Sequence, residues 1–286
     1  MVTVFNLPLS HNRAKLLALV LESEGIACRL TRPDGGWVLE VHGSDLEKAR
    51  ACIEAYDAEN PVQPEKSKTA APIFPHALTG LTAAGVLAAV HVAVNMHADG
   101  HLYLETFGAS ARSITSGAYY RSVTALLLHG DSAHLVANMT AMAIFGTAVC
   151  RVTGWGLGWL LILCSGAAGN MANAFLYGSR HLSIGASTAV FGAVGILCGH
   201  AFLSRYCRPG GRLKAWLPLG AGLAIVAFLG AGPHTDITAH LFGFLAGIPV
   251  GLAYPLYTGW ANRTGVQAAA MAATLLLISG SWMMAL

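Results

Sequence analysis

Ser183-Ile-Gly-Ala-Ser-Thr-Ala-Val-Phe-Gly192 opens a stretch, 187–204, that contains no Asp, Glu, Lys or Arg. At a rise of about 1.5 Å per residue such a run is long enough to cross most of the hydrocarbon core of a bilayer as a helix. Reading outward in both directions finds six more apolar stretches of similar length, 78–96, 132–150, 154–177, 215–232, 238–256 and 267–286. The sequence therefore predicts an all-α polytopic membrane protein. Composition agrees: 55% of the 286 residues are hydrophobic and 11% charged, and the mean hydropathy is +0.56, whereas a soluble domain carries roughly 25% charged residues.

The charges are unevenly spread. Residues 1–68 hold 8 Lys/Arg and 10 Asp/Glu, while residues 69–286 hold 9 and 4. Water is the solvent expected for the first part and lipid for the second. Val2–Asn6 alternates like a strand, Ser10 caps an amphipathic run to Glu24 with Leu16, Leu17, Val20 and Leu21 at helical spacing, and Ile26–Thr31 and Trp37–Val41 read as a hairpin about the turn 33–36. Ser44–Tyr56 reads as a second helix with Leu46, Ala49, Cys52 and Ile53 inward. The expected organisation is a small soluble α+β (β-α-β-β-α) domain at 1–59, a linker with four prolines at 60–77, a six-helix core at 78–256, and a loop with a seventh span at 257–286. The interval 97–131 carries its own apolar patch, Val123–Leu128, expected in the membrane interface or re-entering it.

Several function classes are excluded. A net charge of +3, with no run of five Lys/Arg, does not make a nucleic-acid surface. The six cysteines form no C-x-x-C pair, no H-E-x-x-H occurs, and no spanning segment supplies a suitable carboxylate, so neither a disulfide framework nor a metal site is expected. The first ten residues lack the basic start and apolar core of a signal peptide. Of the basic residues flanking the spans, Lys66, Lys68, Arg151, Arg205, Arg208, Arg212, Lys214 and Arg263 share one side and Arg112, Arg121 and Arg180 the other. The positive-inside rule then puts the N-terminal domain in the cytoplasm and Leu286 outside.

Polar groups inside spans are costly and are candidates for function when they face the bundle interior. His134 and Asn138 are spaced i, i+4 near the outer end of the second span, Ser187 begins the fourth, and His240 lies early in the sixth. Topology brings all four to one depth. A serine hydroxyl needs a base to become a nucleophile, an imidazole is suited to that work, and Asn, a second His and the free N–H groups of a helix start can stabilise an oxyanion. Those parts suffice for acyl transfer. His240, Gly243 and Gly247 fall on one helical face, and Gly192 and Gly195 could receive them, with Phe191 against the imidazole. His129 is assigned a structural role, and the other nine histidines none in chemistry.

Gly185-Ala-Ser187, His240-Leu-Phe-Gly243-Phe-Leu-Ala-Gly247, and His134-Leu-Val-Ala-Asn138 after His129 together make the sequence resemble the rhomboid intramembrane serine proteases. Tyr119-Tyr-Arg121 is similar to an aromatic-Arg element in that family's long first loop, and the soluble start to the cytoplasmic domain of bacterial GlpG-type members. The resemblance implies Ser187 as nucleophile, His240 as general base and then acid, and His134, Asn138 and the Ser187 N–H as the oxyanion hole. It implies a dyad without cofactor or metal, leaving Asp236 no triad role. Its substrates would be transmembrane segments of other proteins, its location a bacterial inner membrane with the site opening outward. Two positions depart from the pattern. Thr188 stands where the family usually has Gly, and Cys150-Arg151 where an acidic residue is common. A non-catalytic rhomboid-like protein that binds membrane clients is the alternative. A transporter is disfavoured by the absence of an inverted repeat.

Overall fold

The computed structural model describes residues 1–5, 9–32, 36–60, 79–96, 100–230 and 235–285. The expected turn at 33–36 falls mostly, and the linker at 60–77 almost wholly, outside them. The chain divides into two compact units, 1–69 and 70–286.

In the first unit the elements run β1 (Val2–Thr3), α1 (His11–Ser23), β2 (Cys28–Thr31), β3 (Val38–Val41) and α2 (Leu46–Glu59). The antiparallel sheet has the order β1-β3-β2, with Val41 opposite both Val2 and Cys28. Ser10 caps α1 by accepting from the Arg13 N–H. The face of α1 that meets the sheet is Ala14, Leu17, Ala18 and Leu21, spaced i, i+3, i+4, i+7. Leu16, expected inward, is exposed because it falls off that stripe. Leu39, Val41 and Ile53 complete the core, and Arg13 pairs with Asp57 of α2.

The second unit is helical. Its long elements are α3 (Thr79–Met96), α4 (Ser132–Thr153), α5 (Trp155–Tyr177), α6 (Ser187–Tyr206), α7 (Lys214–Leu229), α8 (Ile237–Leu252), α9 (Tyr254–Ala261) and α10 (Thr264–Met283). Five of these, α3, α4, α5, α6 and α10, are long and apolar enough to cross a membrane, and α8 with α9 makes a sixth if the pair is one span. The chain is an integral membrane protein. Two expected spans differ. The stretch 215–232 yields only the short apolar α7, and 238–256 is broken by a 64° bend between α8 and α9. Pro249 inside α8 and Pro255 in the first turn of α9 explain the break, since a proline cannot donate within a helix but fits its start.

Among the spanning helices α6 is the most enclosed, with α5, α8 and α4 against it, and α3 and α10 lie at the periphery. Backbone approaches backbone between α6 and α8. A Cβ on Gly195 would strike the Phe244 carbonyl, on Gly247 the Gly192 carbonyl, and on Gly251 the Ile196 carbonyl. Without a hydrophobic drive between helices in lipid, such contact is what holds them together. Besides apolar packing, one polar side chain ties α10 to its neighbours. Gln267, almost fully buried, accepts from the Gly156 and Leu157 N–H groups at 2.7 and 3.0 Å. It also donates to the Thr153 and Ala261 carbonyls at 3.0 and 2.6 Å. Orphan groups at the start of α5 and the ends of α4 and α9 are thus satisfied from α10. This clamp holds the connection that follows Cys150-Arg151.

The described residues between α3 and α4 include short helices at Gly100–Phe107, Ala111–Thr115, Arg121–Thr124 and Ala125–Leu127, and a strand β4 (Ala109–Ser110) that pairs antiparallel with β5 (Leu182–Ser183). Ala125, Leu126, Leu127 and Leu128 are buried in the bundle rather than lying on its surface.

Candidate active site

Ser187 is the first residue of α6, and the segment that delivers it is fixed from three directions. β5 pairs with β4, the Gly185 N–H donates to the Ala125 carbonyl at 2.9 Å, and the Ala186 N–H donates to His129 Nε2 at 3.4 Å. The buried residues 124–129 are therefore the seat of the turn before Ser187. Gly185 has φ +123°, and a Cβ there would lie 2.7 Å from His134 Cε1, so only glycine meets both demands. His129 must be neutral to accept. Burial and the neighbouring His134 and His91 imidazoles push its pKa down to about 4.

His240 lies in the first turn of α8, buried, with Nε2 2.8 Å from Ser187 Oγ and Nδ1 3.1 Å from the Gly230 carbonyl. A carbonyl only accepts, so Nδ1 carries the proton and donates to it, and Nε2 is left with the lone pair that receives the Ser187 hydroxyl. The ring also packs against Phe191, one turn into α6, at 4.7 Å between centroids. The imidazole itself touches a backbone oxygen, the Ser187 hydroxyl and an aromatic face.

On α4, Asp131 caps the helix by accepting from the His134 N–H at 2.8 Å, and the His134 ring lies against Gly185. Asn138 is buried one turn further in and donates one amide hydrogen to the His134 carbonyl at 3.1 Å, while the amide carries a second. His134 thus borders the turn before Ser187, and Asn138 stands behind it on the same face.

Thr188 is buried between two glycines. A Cβ on Gly169 of α5 would lie 2.7 Å from the Thr188 methyl and equally close to the Gly243 backbone, and one on Gly243 of α8 would lie 3.0 Å from that methyl. Two glycines form the notch that holds it. Sequence reading missed this accommodation, and it also missed a polar cluster on Asp236, described below.

A rhomboid-domain family model matches residues 116–257, a range that holds Ser187, His240, His134 and Asn138. The chain belongs to the rhomboid family. Similar relatives include the rhomboid protease GluP of Bacillus subtilis (strain 168), 30% identical over 219 residues, which cover 73% of this chain and 41% of GluP. RHOMBOID-like protein 1 of Arabidopsis thaliana is 30% identical over 155 residues, 54% of this chain and 39% of the relative. RHOMBOID-like protein 4 of the same plant is 31% identical over 167 residues, 57% and 42% of the two chains. This rhomboid thus spans about two fifths of the length of these relatives.

Proposed function

We propose that this rhomboid is an intramembrane serine endopeptidase that cleaves transmembrane segments of other membrane proteins with a Ser187–His240 dyad. The observation that carries the reading is the 2.8 Å contact between Ser187 Oγ and a His240 whose other nitrogen is held by the Gly230 carbonyl. The hydroxyl attacks the scissile carbonyl as His240 Nε2 takes its proton. The resulting imidazolium then gives that proton to the leaving amine, and an acyl-enzyme on Ser187 remains. Water, activated by the same imidazole, hydrolyses it. The Ser187 N–H at the start of α6, His134 and the free Asn138 amide hydrogen serve as donors to the oxyanion. Substrate segments rich in small or helix-weak residues unwind most readily into such a site. The excess of basic residues at 205–214 supports a cytoplasmic N-terminus in a bacterial inner membrane, with the site toward the outer side.

A fluorophosphonate probe should label the wild type in detergent, and Ser187→Ala should abolish both labelling and cleavage of a model transmembrane substrate. Asn138→Ala should lower kcat by about ten- to a thousandfold, as loss of one oxyanion donor does elsewhere. Equal labelling of wild type and Ser187→Ala would refute the assignment and favour a client-binding role.

A further inference from the structure

The outer edge of the site carries a polar cluster that the dyad does not use. Asp236, the cap residue of α8, accepts four hydrogen bonds. Oδ1 takes the Ala239 N–H at 3.0 Å and the Thr238 hydroxyl at 2.8 Å, and Oδ2 takes the Asn173 amide at 2.7 Å and His181 Nε2 at 2.6 Å. Asn173 belongs to α5 and is almost fully buried. His181 belongs to the segment 178–186 that leads to Ser187, its ring stacks on Tyr177 of α5 at 4.0 Å, and its carbonyl accepts from the Ala111 N–H. One carboxylate thus joins the helix of His240, the segment of Ser187 and α5.

The position of this carboxylate gives it a task. Glycine contacts hold α8 to α6 from Gly243 inward, through Gly247 and Gly251. The outer turn, with His240, lies beyond that zone. Among the described residues its ties are the Ser187 hydroxyl, Phe191, the Gly230 carbonyl and the Asp236 cluster. Burial by itself would push the Asp236 carboxyl up. The hydrogen bonds from His181, the Ala239 N–H and Thr238, with the charge of His181, outweigh it and hold the group below the ordinary carboxylate value. A depressed native pKa means that the clamp is intact above the unfolded-state pKa of an Asp and is lost as pH falls through the native one. Among the described residues, the titratable groups around the carboxylate are His181 from the 178–186 segment, Tyr177 from α5 through Thr238, and His240 one turn along α8.

Resting on the serine-protease reading, we propose that Asp236 and His181 are positioning residues that clamp the outer turn of α8 onto the Ser187 segment and so hold His240 in line with the nucleophile. The clamp acts on geometry and takes no proton from the dyad.

The test compares wild type, Asp236→Asn, His181→Ala and His181→Gln in kcat and KM for a model transmembrane substrate, in fluorophosphonate labelling rate, in thermal stability, and in hydrogen-exchange protection over 179–186 and 237–240. In Asp236→Asn the amide oxygen still caps Ala239, but its NH2 meets the Asn173 donor, so the cap survives and the clamp opens. We expect kcat and labelling to fall about tenfold or more with KM unchanged, and protection in the two segments to fall at neutral pH. Wild-type protection should fall in the same way only in acid. His181→Gln, which keeps a donor, should recover much of what His181→Ala loses. Wild-type kcat and wild-type protection in both Asp236→Asn and His181→Ala would overturn the proposal. So would a loss of stability alone with kcat intact. If the wild type neither cleaves nor labels, the protease reading fails, and protection in the two segments still decides whether the clamp exists.

Discussion

Gly243 offers a direct test of how close α8 must stand to α6. It lies three residues after His240, and a Cβ there would sit 3.0 Å from both the carbonyl carbon and the methyl of Thr188, with the Thr188 carbonyl oxygen nearer still. Carbon atoms rest at about 3.5–4.0 Å. Gly243→Ala therefore requires α8 to retreat by roughly 0.5–1 Å, because the opposing atoms include rigid backbone. The same retreat acts one turn away on the 2.8 Å contact between His240 Nε2 and Ser187 Oγ, stretching it past hydrogen-bond length. Misplacement by about 1 Å is enough to cost about a hundredfold in rate. The assay is the rate of fluorophosphonate labelling and of substrate cleavage in detergent, with Gly220→Ala as the control. Gly220 sits in α7 and a Cβ there meets nothing within 4 Å, so that variant should keep its rate. If Gly243→Ala folds, labels and cleaves like the wild type, the claim that glycine contact sets the dyad distance is wrong.

Gln267→Leu should lower the thermal stability of the detergent-solubilised protein by about 3 kcal/mol, since two N–H and two carbonyl groups lose their partner; an unchanged melting temperature would mean that water takes its place. Thr188→Gly should reduce both stability and activity, because it empties a notch that Gly169 and Gly243 shape around the methyl; a gain in cleavage rate would show that the side chain obstructs the site. His129, whose native pKa of about 4 lies below the 6.5 of a free imidazole, favours folding above pH 6.5 and progressively less as pH falls toward 4, where the unfolded chain takes a proton that the folded one refuses. A melting series over that interval should show a steeper acid loss for wild type than for His129→Gln, and parallel curves would remove His129 from the explanation.

Much of this architecture is written locally. An apolar run long enough to span, a glycine spacing along one helical face, and an alternating strand are properties of neighbours in sequence, because a helix or strand imposes its period on consecutive residues. That is why five of the spanning stretches and the β-α-β-β-α start are legible in the sequence, and why Ser187, His240, His134 and Asn138 stand out there as candidates. The reading failed where competing local signals had to be weighed. In α1 the smaller Ala14 and Ala18, not Leu16 and Val20, complete the inward stripe, and in the sixth stretch two prolines outweigh continuous hydrophobicity.

What only the tertiary structure decided are the partnerships between distant residues. Asp236 meets His181 across 55 positions and Asn173 across 63, and Gln267 meets Gly156 across 111. Nothing in the neighbourhood of Asp236 distinguishes a carboxylate that caps a helix from one that also joins three segments. Nor does Thr188 reveal that two glycines, one on α5 and one on α8, make room for its methyl. A sequence specifies which groups must be buried and which must be satisfied, because those costs attach to each residue alone. Which group satisfies which depends on how the helices pack, and packing is settled by all of them at once.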